Sequence, residues 1–406
     1  MIRNNLLEEY SPLYFLAALG AGGAAITFFI YLMFLVPHPD TPMVTFDHLW
    51  PIVTEGHPVK GALTGMAMLA IAFFSLLHVR LLAWNLIEFA RFRRTGAYAR
   101  LLSSNNEAAL MALPLTLAMS INVMLVNGAV FVPGLWDYVE YLFPFAVAAF
   151  VAVGGLAIHL YARYFTRVIS AGDFDLDENN NLAQMIAVFA FAMIGVGLAA
   201  PGAMSHHLGV SAVGIFGAVF FGTVAVVMGL LKFVMGFKSM LRNGISPAAS
   251  PSLWIIIPIL TLLGIATLRI THGLSHGFDA PVSAGWLFVI LSSLLSLQLL
   301  FGLLGYTVMK RVGYFRDYLH GAQRHPGSYA LVCPGVALFV FGMFFVHVGL
   351  LKNGLIDQFS AAHFVALAPL VVVQLLTLLT LFRLNDRLLR RRREDIDEQP
   401  LAMADG

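Results

Sequence analysis

Ten apolar stretches, each long enough to cross a bilayer, alternate with short polar joints along this 406-residue chain. A membrane helix needs about 20 predominantly apolar residues, which predicts spans near 11–36, 61–90, 107–132, 137–166, 181–204, 208–240, 251–271, 284–310, 328–350 and 361–384. The positive charge sorts by joint. Of 24 Lys and Arg, all but Lys60, Arg269 and Lys352 fall at every second joint or at the termini. The positive-inside rule then puts both termini in the cytoplasm. The expected fold class is an all-α polytopic membrane protein of ten transmembrane helices, arranged as five hairpins.

Only 11% of residues are charged, against roughly 25% in a soluble domain. A net charge of +2 gives no case for a nucleic-acid partner; topology explains the basic joints. A single cysteine excludes an intrachain disulfide. The first apolar run is too long for a signal-peptide core and reads as a retained helix. No linker divides residues 1–390, so they form one domain. Residues 391–406 read as a charged, disordered cytoplasmic tail, with Arg390 to Arg393 abutting an anionic leaflet. The joint 37–60, rich in proline and histidine, is either a structured cap or a covering loop. Asp173, Asp175 and Asp177 begin like an EF-hand loop but lack its central glycine and final glutamate. They read as a solvated loop in which Asn179 to Asn181 cap the next helix.

The two members of each hairpin differ. Outward-running segments carry interior helix breakers: Gly20, Gly22 and Gly23; Pro114; Gly195, Gly197 and Pro201; Pro258 and Gly264; Pro334, Gly335 and Gly342. Inward-running segments read as free of interior proline and run on into basic, aromatic ends such as Ala83 to Arg91 and Gly313 to Tyr318. A proline frees a carbonyl that must be satisfied by protein or water. Breaks on one helix of every hairpin therefore predict an inner ring around a cavity, with straighter helices facing lipid. Ordinary packing of glycine-rich membrane helices is the alternative.

This pattern resembles the tellurite-resistance TehA and slow-anion-channel superfamily. The resemblance implies five hairpins in a quasi-fivefold arrangement around a central pore, lined by the kinked odd helices and closed by a phenylalanine. Locally, Tyr329 to Gly342, reading YALVCPGVALFVFG, resembles the TsoY family of bacterial membrane proteins, in some of which a selenocysteine occurs; Cys333 is its counterpart here. The resemblance further implies a multi-pass protein of the bacterial inner membrane and a homotrimer. The 37–60 joint and the tail make this chain longer than compact TehA proteins.

Several residues are candidates for chemistry. Cys333 precedes Pro334 early in the ninth span, and is either an inert buried thiol or a redox- or substrate-sensing group. Phe339, Phe341 and Phe344 follow, with Pro334, Gly335 and Gly342, as the expected gate region; a hydrophobic ring can close a pore by dewetting. From the resemblance, Phe341 or Phe344 is the gate. Arg269, His272 and His276 share a face of the seventh span, as an anion-attracting outer mouth or as interfacial snorkelling. His206, His207, His272, His276 and His347 end three odd helices on one side and are candidate metal ligands. His78 and His159 suit structural polar contacts, and Glu88 and Glu107 lie near the cytoplasmic interface. No set of nucleophile, base and orienting group is visible, so nothing argues for an enzyme.

The expected function is a TehA-like channel or transporter in contact with membrane lipid. It passes a small anion or a sulfur- or selenium-containing solute and requires no cofactor. The alternative is a metal- or haem-binding membrane redox protein in which the outer histidines hold copper or haem.

Overall fold

The computed structural model describes residues 2–172, 180–277 and 279–390, apart from the side chains of 276 and 277. The acidic loop from Asp173 to Asn179, the tail from Arg391 onward and the His276 side chain therefore lie outside the described part. Ten helices have the length and apolar composition to cross a membrane, and each expected span matches one of them to within five residues at either end. The chain is an all-α integral membrane protein.

The odd-numbered spans contain α1 (Phe15–Leu35), α5 (Ala112–Phe131), α7 (Ile186–Met204), α9 (Ile256–Gly277) and α11 (Val332–Phe344). Their hairpin partners are α3 (Pro58–Phe92), α6 (Val139–Ala171), α8 (Leu208–Asn243), α10 (Ala284–Arg311) and α12 (Ala361–Leu389). Two short helices, α2 (Phe46–Thr54) and α4 (Gly96–Leu102), lie in joints.

The five odd helices close a ring. Helix α1 packs on α5, α5 on α7, α7 on α9, α9 on α11, and α11 on α1 again. Each partner helix packs outside the ring, α3 on α1, α6 and α8 on α7, α10 on α9 and α12 on α11. Burial separates the two shells. Between 50% and 94% of the most apolar stretch is buried in each odd span, and no more than 39% in any even span. Lipid provides no hydrophobic drive between helices, so close packing of small residues must hold such a ring together. Gly202 of α7 meets Gly214 of α8 in this way; a Cβ on Gly202 would stand 2.9 Å from the Ile215 nitrogen.

What repeats around the ring is a helix start. Each odd α-helix is entered through a 3₁₀ turn: Pro12–Tyr14, Asn105–Met111, Ala183–Met185, Pro247–Ile255 and Pro326–Leu331. In four of them a side chain accepts the backbone N–H two residues on, from Ser11, Ser104, Asn181 and His325. This is the local capping that Ser and Asn favour. Pro114, Pro258 and Pro334 each occupy the third residue of their α-helix. There the missing N–H belongs to the switch from 3₁₀ to α winding, so these prolines do not bend a helix interior. The proline contrast also fails on the other shell, because Pro144 and Pro369 lie inside α6 and α12. Pro201 does lie inside α7, as expected, but across the five helices small residues and burial, rather than proline kinks, distinguish the inner ring.

The termini meet at one end of the bundle. Arg3 N–H donates to the Leu389 carbonyl at 2.7 Å, and Ile2 pairs with Arg390. The basic joints share this end, which the positive-inside rule assigns to the cytoplasm. Two buried carboxylates brace it. Glu88 accepts the backbone N–H groups of Asn5 and Leu6 together with Arg91. Glu107 accepts Arg163 and Arg167. His78 bridges the Ala18 carbonyl and Ser120, the structural contact expected of it. His159, by contrast, is exposed on α6 and forms no hydrogen bond among the described residues.

At the opposite end the 37–60 joint is a structured cap built on α2. Thr45 and His48 form a reciprocal capping box, and Asp47 accepts the Gly134 N–H from the neighbouring joint.

Candidate functional site

Inside the ring lies a cavity of about 800 Å³ whose wall includes side chains from all five odd helices. It runs from Leu19, Phe189, Pro258 and Cys333, near the starts of their helices, to His38, His272, Lys352 and Phe359 at the opposite end. Below the first group, Phe15, Leu115, Ile257 and Tyr329 are almost wholly buried and line no part of it. The cavity is thus a blind funnel, closed toward the termini.

Its polar character is one-sided. Arg269, His38, His272, His347 and Lys352 all contribute to the wall, and no described lining residue is Asp or Glu. Arg269 is half-buried and donates from Nη1 to the Val196 carbonyl at 2.7 Å, tying α9 to α7. It has no carboxylate partner among the described residues. A guanidinium held against apolar surroundings without a counter-charge is costly in a membrane. Arg269 and His272, expected at the mouth, both line it.

Helix α11 presents four faces, and the angular step of about 100° per residue assigns them. Cys333, Val336, Ala337, Val340, Phe344 and His347 form the stripe that faces the cavity. Phe341, one step from Val340, is fully buried against α9, where its ring meets Gly264. Phe339 points toward α1, its ring centroid 5.1 Å from that of Tyr31. Gly335 and Gly342 face α12 and receive Thr377 and Leu370. Pro334 is buried at the helix start. Of the expected gate residues only Phe344 reaches the wall. It stands toward the mouth, edge-on to Phe34 at 5.0 Å. The aromatic ring at the closed end is Phe189 of α7. Nothing in the sequence singled it out among 33 phenylalanines.

The histidines divide. His206 and His207 are exposed at the start of α8 and are absent from the cavity wall; the His206 N–H donates to Glu140. His347 lies in a π-helical turn, Phe345–Leu351, that extends α11. Its ring stacks on Phe34 at 4.4 Å. Its Nε2 stands 3.3 Å from Nε2 of His363, a fully buried residue in the first turn of α12. His363 lay outside the expected set; its spacing to His347 crosses a joint and carries no motif. Among the described residues no three His, Cys, Asp or Glu side chains gather as a metal site. His347 and His363 face one another as a hydrogen-bonded pair.

A closed ring of five apolar helices around a cavity with basic residues on its wall defines the class: a polytopic membrane protein with an internal cavity. No protein-family model matches the chain, and no curated protein matches it.

Proposed function

We propose that this protein is a channel or transporter for small anions, with the central cavity as its path. The observation that carries this reading is the cavity wall itself: five helices supply it, its ionisable nitrogen groups are Arg269, His38, His272, His347 and Lys352, and no described lining residue is Asp or Glu. Fixed positive charge at a low-dielectric opening concentrates anions and repels cations. The closed ring of odd helices, wrapped by even ones, also supports a TehA-like architecture; a bacterial inner membrane is the location that this resemblance implies. In this reading Phe189 and the buried layer beneath it form the barrier. Cys333, on the wall beside that floor, is where a sulfur- or selenium-containing solute would meet a thiol.

The test is anion flux into proteoliposomes that contain the purified protein. Nitrate or chloride influx should exceed that of empty liposomes, and Phe189→Ala should raise it further. Arg269→Gln should lower it several-fold. If the wild type and Phe189→Ala both leave liposomes as tight as lipid alone, the conduction reading falls.

A further inference from the structure

Charge is segregated along the cavity. Arg269, His38, His272 and Lys352 stand in the mouth half, whereas Leu19, Ile26, Met119, Phe189, Met193 and Val336 make the lower wall apolar. The lower half does contain Asn122 and Thr261, but both are engaged. The Asn122 amide nitrogen donates to the Ala118 carbonyl at 3.1 Å and approaches the Met193 sulfur at 3.7 Å. The Thr261 hydroxyl lies 3.1 Å from both the Ile257 and the Ala337 carbonyls and accepts from Gln298 at 2.8 Å. A bare inorganic anion moved below Arg269 would therefore give up hydration and find only the weak thiol donor of Cys333, which costs several kcal/mol. An apolar group moved there gains about 0.8 kcal/mol per methylene.

Size points the same way. About 800 Å³ falls in the range that holds drug-sized ligands. On α9, Pro258 at the floor and Arg269 are eleven residues apart, roughly 16 Å at 1.5 Å per residue. That is far more length than a halide or an oxyanion fills.

We infer that the cavity binds an amphipathic organic monoanion, its carboxylate at Arg269 and its apolar body in the pocket above Phe189 and Cys333. This names the substrate class and rests on the proposal that the cavity is the anion path. Binding, however, is read without any transport.

Equilibrium dialysis of radiolabelled hexanoate against the protein in nanodiscs, with empty nanodiscs as background, tests it. Affinity should climb from acetate through butyrate to hexanoate by roughly fourfold per methylene, the factor that corresponds to about 0.8 kcal/mol. Hexanol and hexylamine should compete at least about tenfold less well, the factor for about 1.4 kcal/mol. Arg269→Gln should erase the preference for hexanoate over hexanol. Val340→Phe, which fills the wall at mid-depth, should weaken hexanoate and spare acetate. A flat series in the wild type, or nitrate and chloride displacing the label better than unlabelled hexanoate, overturns the inference whether or not either variant folds. Nitrate flux without saturable hexanoate binding would sink this inference alone. Saturable binding without flux of any anion would sink conduction and leave the inference standing.

Discussion

The imidazoles of His347 and His363 join α11 to α12 through a 3.3 Å contact between their Nε2 atoms, and each outer nitrogen is engaged as well. The Phe359 N–H can only donate, so His363 Nδ1 accepts it, at 3.0 Å, and the His363 proton sits on Nε2. That proton points to His347 Nε2, which leaves the His347 proton on Nδ1 to donate to the Met343 carbonyl at 2.8 Å. Two neutral rings thus form a directed chain from the joint at the cavity mouth back into α11. Phe359, at its start, takes a left-handed backbone with φ of 61° and lines the cavity.

His363→Ala removes the acceptor for that amide and should free the joint between Lys352 and Ser360. Phe359 is exposed, so water can take over its amide and the loss is the net worth of one hydrogen bond, about 0.5–1.5 kcal/mol. Hydrogen exchange at the Phe359 amide should quicken by up to about tenfold, the step that corresponds to about 1.4 kcal/mol. Exchange in the buried middle of α7 should stay as it was. Unchanged protection at Phe359 would mean that the histidine pair does not hold the mouth.

Phe189 and Phe341 separate a barrier from packing. Phe189→Ala opens the closed end of the cavity and should raise flux. Phe341→Ala empties the contact with Gly264 between α9 and α11 and should cost roughly 3–5 kcal/mol of stability without raising flux. Thermal unfolding in detergent, alongside liposome flux, checks both. A Phe341→Ala protein that is stable and leaky would return the gate to the ninth span.

These two phenylalanines also show what a membrane sequence reveals. Spans, hairpins and the inner ring were legible because length, charge bias and small residues are bulk properties. The face that lines a cavity was not. Leu338, Phe339, Val340 and Phe341 are all apolar, so no polar contrast marks the cavity side. The better signal was sparse: Cys333 and His347, fourteen residues apart, fall within about 40° of one another on a helical wheel. For the same reason proline misled. Pro334 marks a helix start, and only the preceding 3₁₀ turn, which no periodicity reports, gives it that role. His363 was hidden because its partner lies across a joint.

Gly335 tests the contact between shells. A methyl group there runs into the Thr377 hydroxyl of α12, which already donates to the Val373 carbonyl. Gly335→Ala should therefore push α12 from α11 and lower the midpoint of thermal unfolding, with overpacking typically costing about 1–3 kcal/mol. Adding Thr377→Ala should recover most of the loss, because it removes the obstructing hydroxyl and methyl groups. A single substitution without effect, or a double variant no better than the single, would show that the shells have room to spare.

The cap over the cavity mouth should loosen in acid, and His48 is the reason. Its Nδ1 accepts the Thr45 N–H at 3.3 Å and lies 2.8 Å from the Thr45 hydroxyl. Burial lowers its pKa below the ordinary histidine value and His38 adds to this, while Asp40 and Asp47 pull the other way. A lowered pKa means that the folded cap binds the proton less readily than the opened one. The stabilisation is therefore complete above the free imidazole value near 6.5. It declines as the pH falls through that value toward the folded one. Hydrogen exchange over Thr45 to Thr54 should quicken between about pH 7.5 and about pH 5, once corrected for intrinsic exchange, with the bracket set by the imidazole's free value. His48→Asn places an acceptor near the Nδ1 position but does not titrate, so the cap should then stay equally protected across that interval. If the Asn variant loosens in acid as the wild type does, the switch lies with another group.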